Sequence, residues 1–80
     1  MRIDKFLKVS RLLKRRTVAA EACDNGKVSV NGRESKPGAK LKIGDEVEIR
    51  FGSSSLKFRV LDLNEKAGKA EAGLMYEIIS

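Results

Sequence analysis

Histidine and tryptophan are absent from this 80-residue chain, and cysteine occurs once. Without histidine, the commonest general base and the commonest zinc ligand are missing. The single cysteine, Cys23, permits no internal disulfide, which fits a reducing compartment. It lies in the small-residue stretch Val18-Ala19-Ala20-Glu21-Ala22-Cys23, where a thiol packs as a small hydrophobe and not as a nucleophile. No G-x-x-x-x-G-K-[ST] loop is present, so metal hydrolysis, Cys/His catalysis and P-loop phosphate chemistry all lack their parts. Asp45 and Glu46 stand on a turn with no base nearby. The expectation is a protein that is not an enzyme and takes neither metal nor cofactor.

Long apolar runs are missing too, the longest being three residues, so nothing here is suited to span a membrane. At the N-terminus charges recur about every three residues, unlike a signal peptide, and a cytoplasmic protein is expected. Aromatic residues are few: Phe6, Phe51, Phe58 and Tyr76. A chain this short buries only about 60–65% of its unfolded surface and builds one thin core. That suits a single domain over residues 1–80 and leaves no volume for a deep substrate pocket.

Acidic residues are scarce in one place. Over the first sixteen positions Asp4 alone stands against Arg2, Lys5, Lys8, Arg11, Lys14, Arg15 and Arg16. Seven bases less one acid account for the whole net charge of +6, and the other sixty-four residues carry ten bases and ten acids. A neutral body with one basic end has a place to put a polyanion. A solvated basic helix face without a partner is the plainer alternative.

Residues Ile3 to Leu13 read as a helix, with Ile3, Phe6, Leu7, Leu12 and Leu13 apolar at mostly helical spacing and Lys5, Lys8 and Arg11 on another face. A basic turn, Lys14-Arg15-Arg16, leads to a second helix from about Thr17 to Asp24, which presents Val18, Ala19, Ala22 and Cys23 for close packing. Asn25-Gly26 ends it. The period then switches to two. Val28 to Val30 alternates, Asn31-Gly32 is a hairpin signal, and Lys36-Pro37-Gly38 is a turn. Leu41 and Ile43 begin another apolar alternation before the Gly44-Asp45 turn. Strands follow over Glu46–Phe51, with Val47, Ile49 and Phe51 inward, and over Leu56–Leu63, with Leu56, Phe58 and Val60 inward. Residues 64–73 read as a mobile polar loop, and Leu74–Ile79 as a last strand. The fold class is α+β: an N-terminal two-helix hairpin on a small, mainly antiparallel sheet of four to five strands.

The order Arg2-Ile3-Asp4-Lys5-Phe6-Leu7, Arg11, Lys14-Arg15-Arg16-Thr17, then Gly26-Lys27-Val28-Ser29-Val30-Asn31-Gly32, Lys36-Pro37-Gly38 and Ile43-Gly44-Asp45-Glu46-Val47 resembles the S4 RNA-binding domain family. The resemblance covers residues 1–52, leaving 53–80 as C-terminal strands with the polar loop. Arg15 stands where many S4 domains have a small hydroxyl residue, which adds charge. Among S4 proteins, a near-bare module opening in this way is similar to the ribosome quality-control branch of the family and also to its heat-shock branch. The first likeness implies binding to an obstructed large ribosomal subunit, with contacts to large-subunit rRNA and to peptidyl-tRNA held in a P-site-like position. A quality-control partner that recruits alanyl-tRNA then adds an alanine tail to the stalled chain. The heat-shock likeness implies rescue of aborted subunits without tailing, and those relatives usually carry a longer basic C-terminal extension. A monomer is expected.

The residue types support RNA contact independently. Guanidinium groups fork onto phosphate oxygens and stack on exposed bases in ways lysine cannot. Arg2 and Arg16 bracket the helix hairpin, match strongly basic positions of the family motif, and lead the candidates for phosphate contact. Arg11 and Arg15 follow; Lys5, Lys8 and Lys14 add field and association rate, and Lys36 is an outlying candidate. Asp4 either caps the helix or orients an arginine such as Arg16, or it accepts a hydrogen bond from a ribose or base. A reading from another class is a protein-interaction adaptor built on the neutral sheet.

Overall fold

A computed structural model describes all residues from 1 to 80. Helix α1 spans Ile3–Val9 and helix α2 spans Arg16–Asp24. Ile3, Phe6 and Leu7 follow an i, i+3, i+4 pattern and are fully buried. The first helix is shorter than its apolar spacing predicts. Ser10 is its C-cap and Arg11 follows at φ 64°, the left-handed conformation in which glycine usually ends a helix. The Arg11 amide donates to the Lys8 carbonyl at 3.0 Å and the Leu13 amide to that of Leu7 at 3.0 Å, closing the end. Leu12 and Leu13 still pack against the core, but from a turn. An arginine in the glycine position is what hid the stop.

The second helix begins one residue earlier than expected, with Arg15 at its N-cap and no side-chain cap from Thr17. Its buried face is narrow: Ala19 and Cys23 are enclosed, Ala22 is half-buried and Val18 is exposed. Gly26, at φ 71°, follows the C-cap Asn25 as the sequence predicts.

Five strands, β1 (Val28–Val30), β2 (Arg33–Glu34), β3 (Glu46–Phe51), β4 (Ser54–Val60) and β5 (Tyr76–Ile78), form one sheet in the order β2-β1-β3-β4-β5. Every pairing is antiparallel. Asn31 (φ 51°) and Gly32 (φ 85°) make the left-handed pair that a two-residue hairpin turn requires. The Asn31 side chain also fastens this turn to β3. Its Oδ1 accepts the Glu46 amide at 3.0 Å, and its Nδ2 donates to Asp45 Oδ1 at 3.1 Å. On the inner face Val30, Val47, Phe58 and Ile78 lie in one row. Phe58 stacks on Phe6 with ring centroids 6.0 Å apart and meets Tyr76 edge-on at 5.7 Å, joining α1, β4 and β5. On the outer face Arg59 binds Glu46 at 3.3 Å and Glu77 at 3.4 Å, so that surface neutralises itself.

Several predicted details shift. Leu41 is buried, but Ile43 is 65% exposed and no strand forms there. The Lys42 amide donates to Asp45 Oδ2 at 2.8 Å, which bends the segment into a turn ahead of Gly44. Phe51 is 45% exposed because it pairs with Ser54 on the last rung before the turn, uncovered by a helix. Strand β4 starts at Ser54 and ends at Val60, with Leu56 only half-buried. Residues 64–73 hold a short helix, α3 (Lys69–Ala72), anchored by buried Ala72 and Met75. The last strand is shorter than predicted because Leu74, 70% exposed, belongs to the turn after α3.

Burial, aided by the charges of Asp4 and Asp24, pushes the Cys23 thiol from its ordinary 9.0 up to about 11. Between those values the unfolded chain gives up its thiol proton first, so the native state is the one that loses stability as pH rises. Over this window the urea midpoint of the wild type is expected to fall more steeply than that of Cys23→Ala. Parallel curves for the two proteins would show that the thiol makes no contribution.

Candidate RNA-binding face

The N-terminus is held by a strip of backbone. The Ile3 amide donates to the Ala39 carbonyl at 2.8 Å, the Asp4 amide to that of Pro37 at 3.3 Å, and the Leu41 amide to that of Met1 at 2.9 Å. The first two bonds satisfy amides that the start of α1 leaves without intrahelical partners. They also place residues 36–39 beside Arg2.

Asp4 is buried and makes three contacts. Its Oδ1 accepts the Lys5 amide at 2.7 Å and lies 3.4 Å from Arg16 Nε; its Oδ2 accepts from Arg2 Nη2 at 3.1 Å. One carboxylate thus draws together two guanidinium groups, from the start of α1 and the start of α2. The arginine side chains remain 51% and 48% exposed, so both retain donors for an outside anion. Hydrogen bonds from the Lys5 amide and Arg2, with the Arg16 charge alongside, offset the cost of burying the carboxylate.

Arg2 also lines a concavity of about 750 Å³ with Arg33, Lys36, Val30, Pro37 and a single acid, Glu34. Lys36 therefore belongs with Arg2. Arg33 was not among the expected contacts. Its signal was present in the sequence, since residues 27–42 hold five bases and one acid, but it was lost in the average over the neutral sixty-four.

The remaining candidates sit elsewhere. Lys8, Arg11 and Lys14 gather with Lys66 around a second cleft of about 460 Å³, at the other end of α1. Seven helical residues separate the two ends by about 10 Å. None of these four bases forms an ion pair. Lys5 differs: its Nζ lies 2.7 Å from Glu65 Oε1. That hydrogen bond, with the ammonium charge behind it, holds the Glu65 carboxyl below its usual range and occupies Lys5. Arg15 is exposed at the N-cap of α2 and is likewise unpaired. Of the eight predicted bases, Arg2 and Lys36 line one concavity and Lys8, Arg11 and Lys14 the other, while Arg16 lies against Asp4, Arg15 is exposed and unpaired, and Lys5 is engaged internally. No cluster of three His, Cys, Asp or Glu side chains is placed to hold a metal ion, and no helix is long and apolar enough to cross a membrane.

Residues 1–47 match the S4 domain family. Over its whole length the chain is 52% identical to the RQC P-site tRNA stabilizing factor of Streptococcus pneumoniae, covering 91% of that protein. It is 36% identical over 78 residues to the heat shock protein 15 homolog of Aeromonas salmonicida, covering 96% of this chain and 59% of that one. Among solved structures, the trimeric heat shock protein 15 of Vibrio cholerae superposes with a TM-score of 0.90 at 28% identity. That match covers all of this chain and 82% of the other.

Proposed function

The chain belongs to the S4 domain family, and we propose that it is a non-enzymatic RNA-binding factor of ribosome quality control. In this reading it binds the obstructed large subunit, touching rRNA and peptidyl-tRNA, and steadies the tRNA in a P-site-like position while a partner recruiting alanyl-tRNA extends the stalled chain. The observation that carries the reading is the Arg2–Asp4–Arg16 cluster. Two forked donors held at a fixed separation on a rigid helix pair suit the phosphates of a structured RNA, which is read by shape and backbone contacts. Identity of 52% to a protein named for stabilising P-site tRNA, against 36% to a heat-shock homolog, favours tailing-associated quality control over simple rescue. The self-neutralised outer sheet face disfavours an adaptor that binds through charge.

Affinity purification of the tagged protein from cells tests this directly. Large subunits bearing peptidyl-tRNA, free of small subunits, are expected. Recovery of intact ribosomes or of free mRNA alone would overturn the assignment.

A further inference from the structure

We infer that the second cleft receives a protruding RNA element: an unpaired nucleotide together with its flanking phosphates. The inference rests on the RNA-binding reading above and adds which RNA shape this end of the molecule selects.

Three observations converge on it. First, the cleft is concave and cationic. Lys8, Arg11 and Lys14 come from the end of α1 and its following turn, and Lys66 faces them from a segment more than fifty residues away in sequence. All four lack acidic partners. The one acid at the rim, Glu65, already has its charge met by Lys5 at 2.7 Å. A concave cationic site suits a projecting polyanion.

Second, the lining is mixed. Val9, Leu13 and Ala67, each half-buried, stand among those charged side chains. Phosphate alone has no use for an apolar portion of the wall, but the face of an unstacked base does.

Third, Arg11 holds a backbone conformation that glycine would occupy without strain. Its φ of 64° sets it at the position after the α1 C-cap, and it is one of two non-glycine residues with positive φ. The other, Asn31, is of a type that enters this region readily and makes three hydrogen bonds that account for it. Arg11 has no such bond from its side chain. Strain retained at an exposed residue points to a use for the side chain itself. A guanidinium plane at the mouth of the cleft can stack on a base and donate to its phosphate together.

Two RNA hairpins of one sequence, one fully paired and one with a single 2-aminopurine bulge, test the inference by fluorescence and filter binding at low salt. The wild type is expected to bind the bulged hairpin about tenfold more tightly and to change the emission of the probe base. Arg11→Gly keeps the fold, since glycine suits this backbone, and is expected to bind both hairpins equally. Lys66→Ala, on the opposite wall, should narrow the same preference. Arg16→Glu should weaken both hairpins and keep the ratio between them. Equal binding of the two hairpins by the wild type, or an undiminished preference in Arg11→Gly, would overturn the cleft assignment while leaving RNA binding intact. Failure of the wild type to bind either hairpin would remove the RNA-binding reading and this inference with it.

Discussion

Arg16→Glu is expected to abolish cosedimentation with the large ribosomal subunit while the protein stays folded. In the native cluster two guanidinium groups share one carboxylate and leave a net positive charge at the surface. The substitution leaves one base beside two acids, so the same point repels a phosphate. If about five phosphates are contacted, a fourfold rise in salt already weakens binding by roughly 10²–10³, and reversal of a central charge acts on the same term. Folding is spared because Arg16 is the first residue of α2, where a carboxylate favours the positive end of the helix. Asp4 keeps Arg2 and the Lys5 amide. Circular dichroism checks the fold and sucrose-gradient sedimentation the binding. A folded variant that still sediments with large subunits would remove Arg16 from the docking face. Asp4→Asn separates orientation from bulk charge: a field effect alone would tighten binding, whereas loss of the shared acceptor weakens it, and weakening is expected.

Phe58→Ala is expected to cost about 3–5 kcal/mol. Against a total stability of about 4–12 kcal/mol for a chain of this size, that leaves a substantial unfolded population. Phe58 is fully buried on β4 and touches two other rings, the fully buried Phe6 on α1 and the half-buried Tyr76 on β5. The helix layer and the last strand lose a common support at once, and a thin core cannot collapse around the space. Phe58→Leu keeps most of the volume and should cost much less. Phe51→Ala, at an exposed rung, should shift stability by about 0.5 kcal/mol or less. Urea unfolding of the three variants measures the order. Equal losses for Phe51→Ala and Phe58→Ala would contradict the packing described.

Local signals located most of the fold. The helix pair, the Asn31-Gly32 turn and strands β3 and β4 follow from period and turn chemistry, because those act over a few residues. The errors lie where a residue of the wrong type fills a structural role, or where coverage depends on a distant element. Arg11 ends a helix in place of glycine, so the apolar spacing of Leu12 and Leu13 looked helical. Phe51 and Ile43 alternate like core residues, yet no helix reaches over them. Lys69–Ala72, within a polar stretch, becomes helical because Ala72 and Met75 find a place in the core.

What the sequence determined alone was the quantity and rough address of the charge: a surplus of six within the first sixteen residues, on a helix hairpin of S4 type. Only the tertiary structure decided how that surplus is spent in space. It pairs Lys5 with Glu65, sixty residues on, and sets Lys36 and Arg33 beside Arg2. It also moves Lys8, Arg11 and Lys14 to a separate cleft with Lys66. Electrostatic interaction depends on distance and on exposure to screening solvent, and neither is a function of position along the chain.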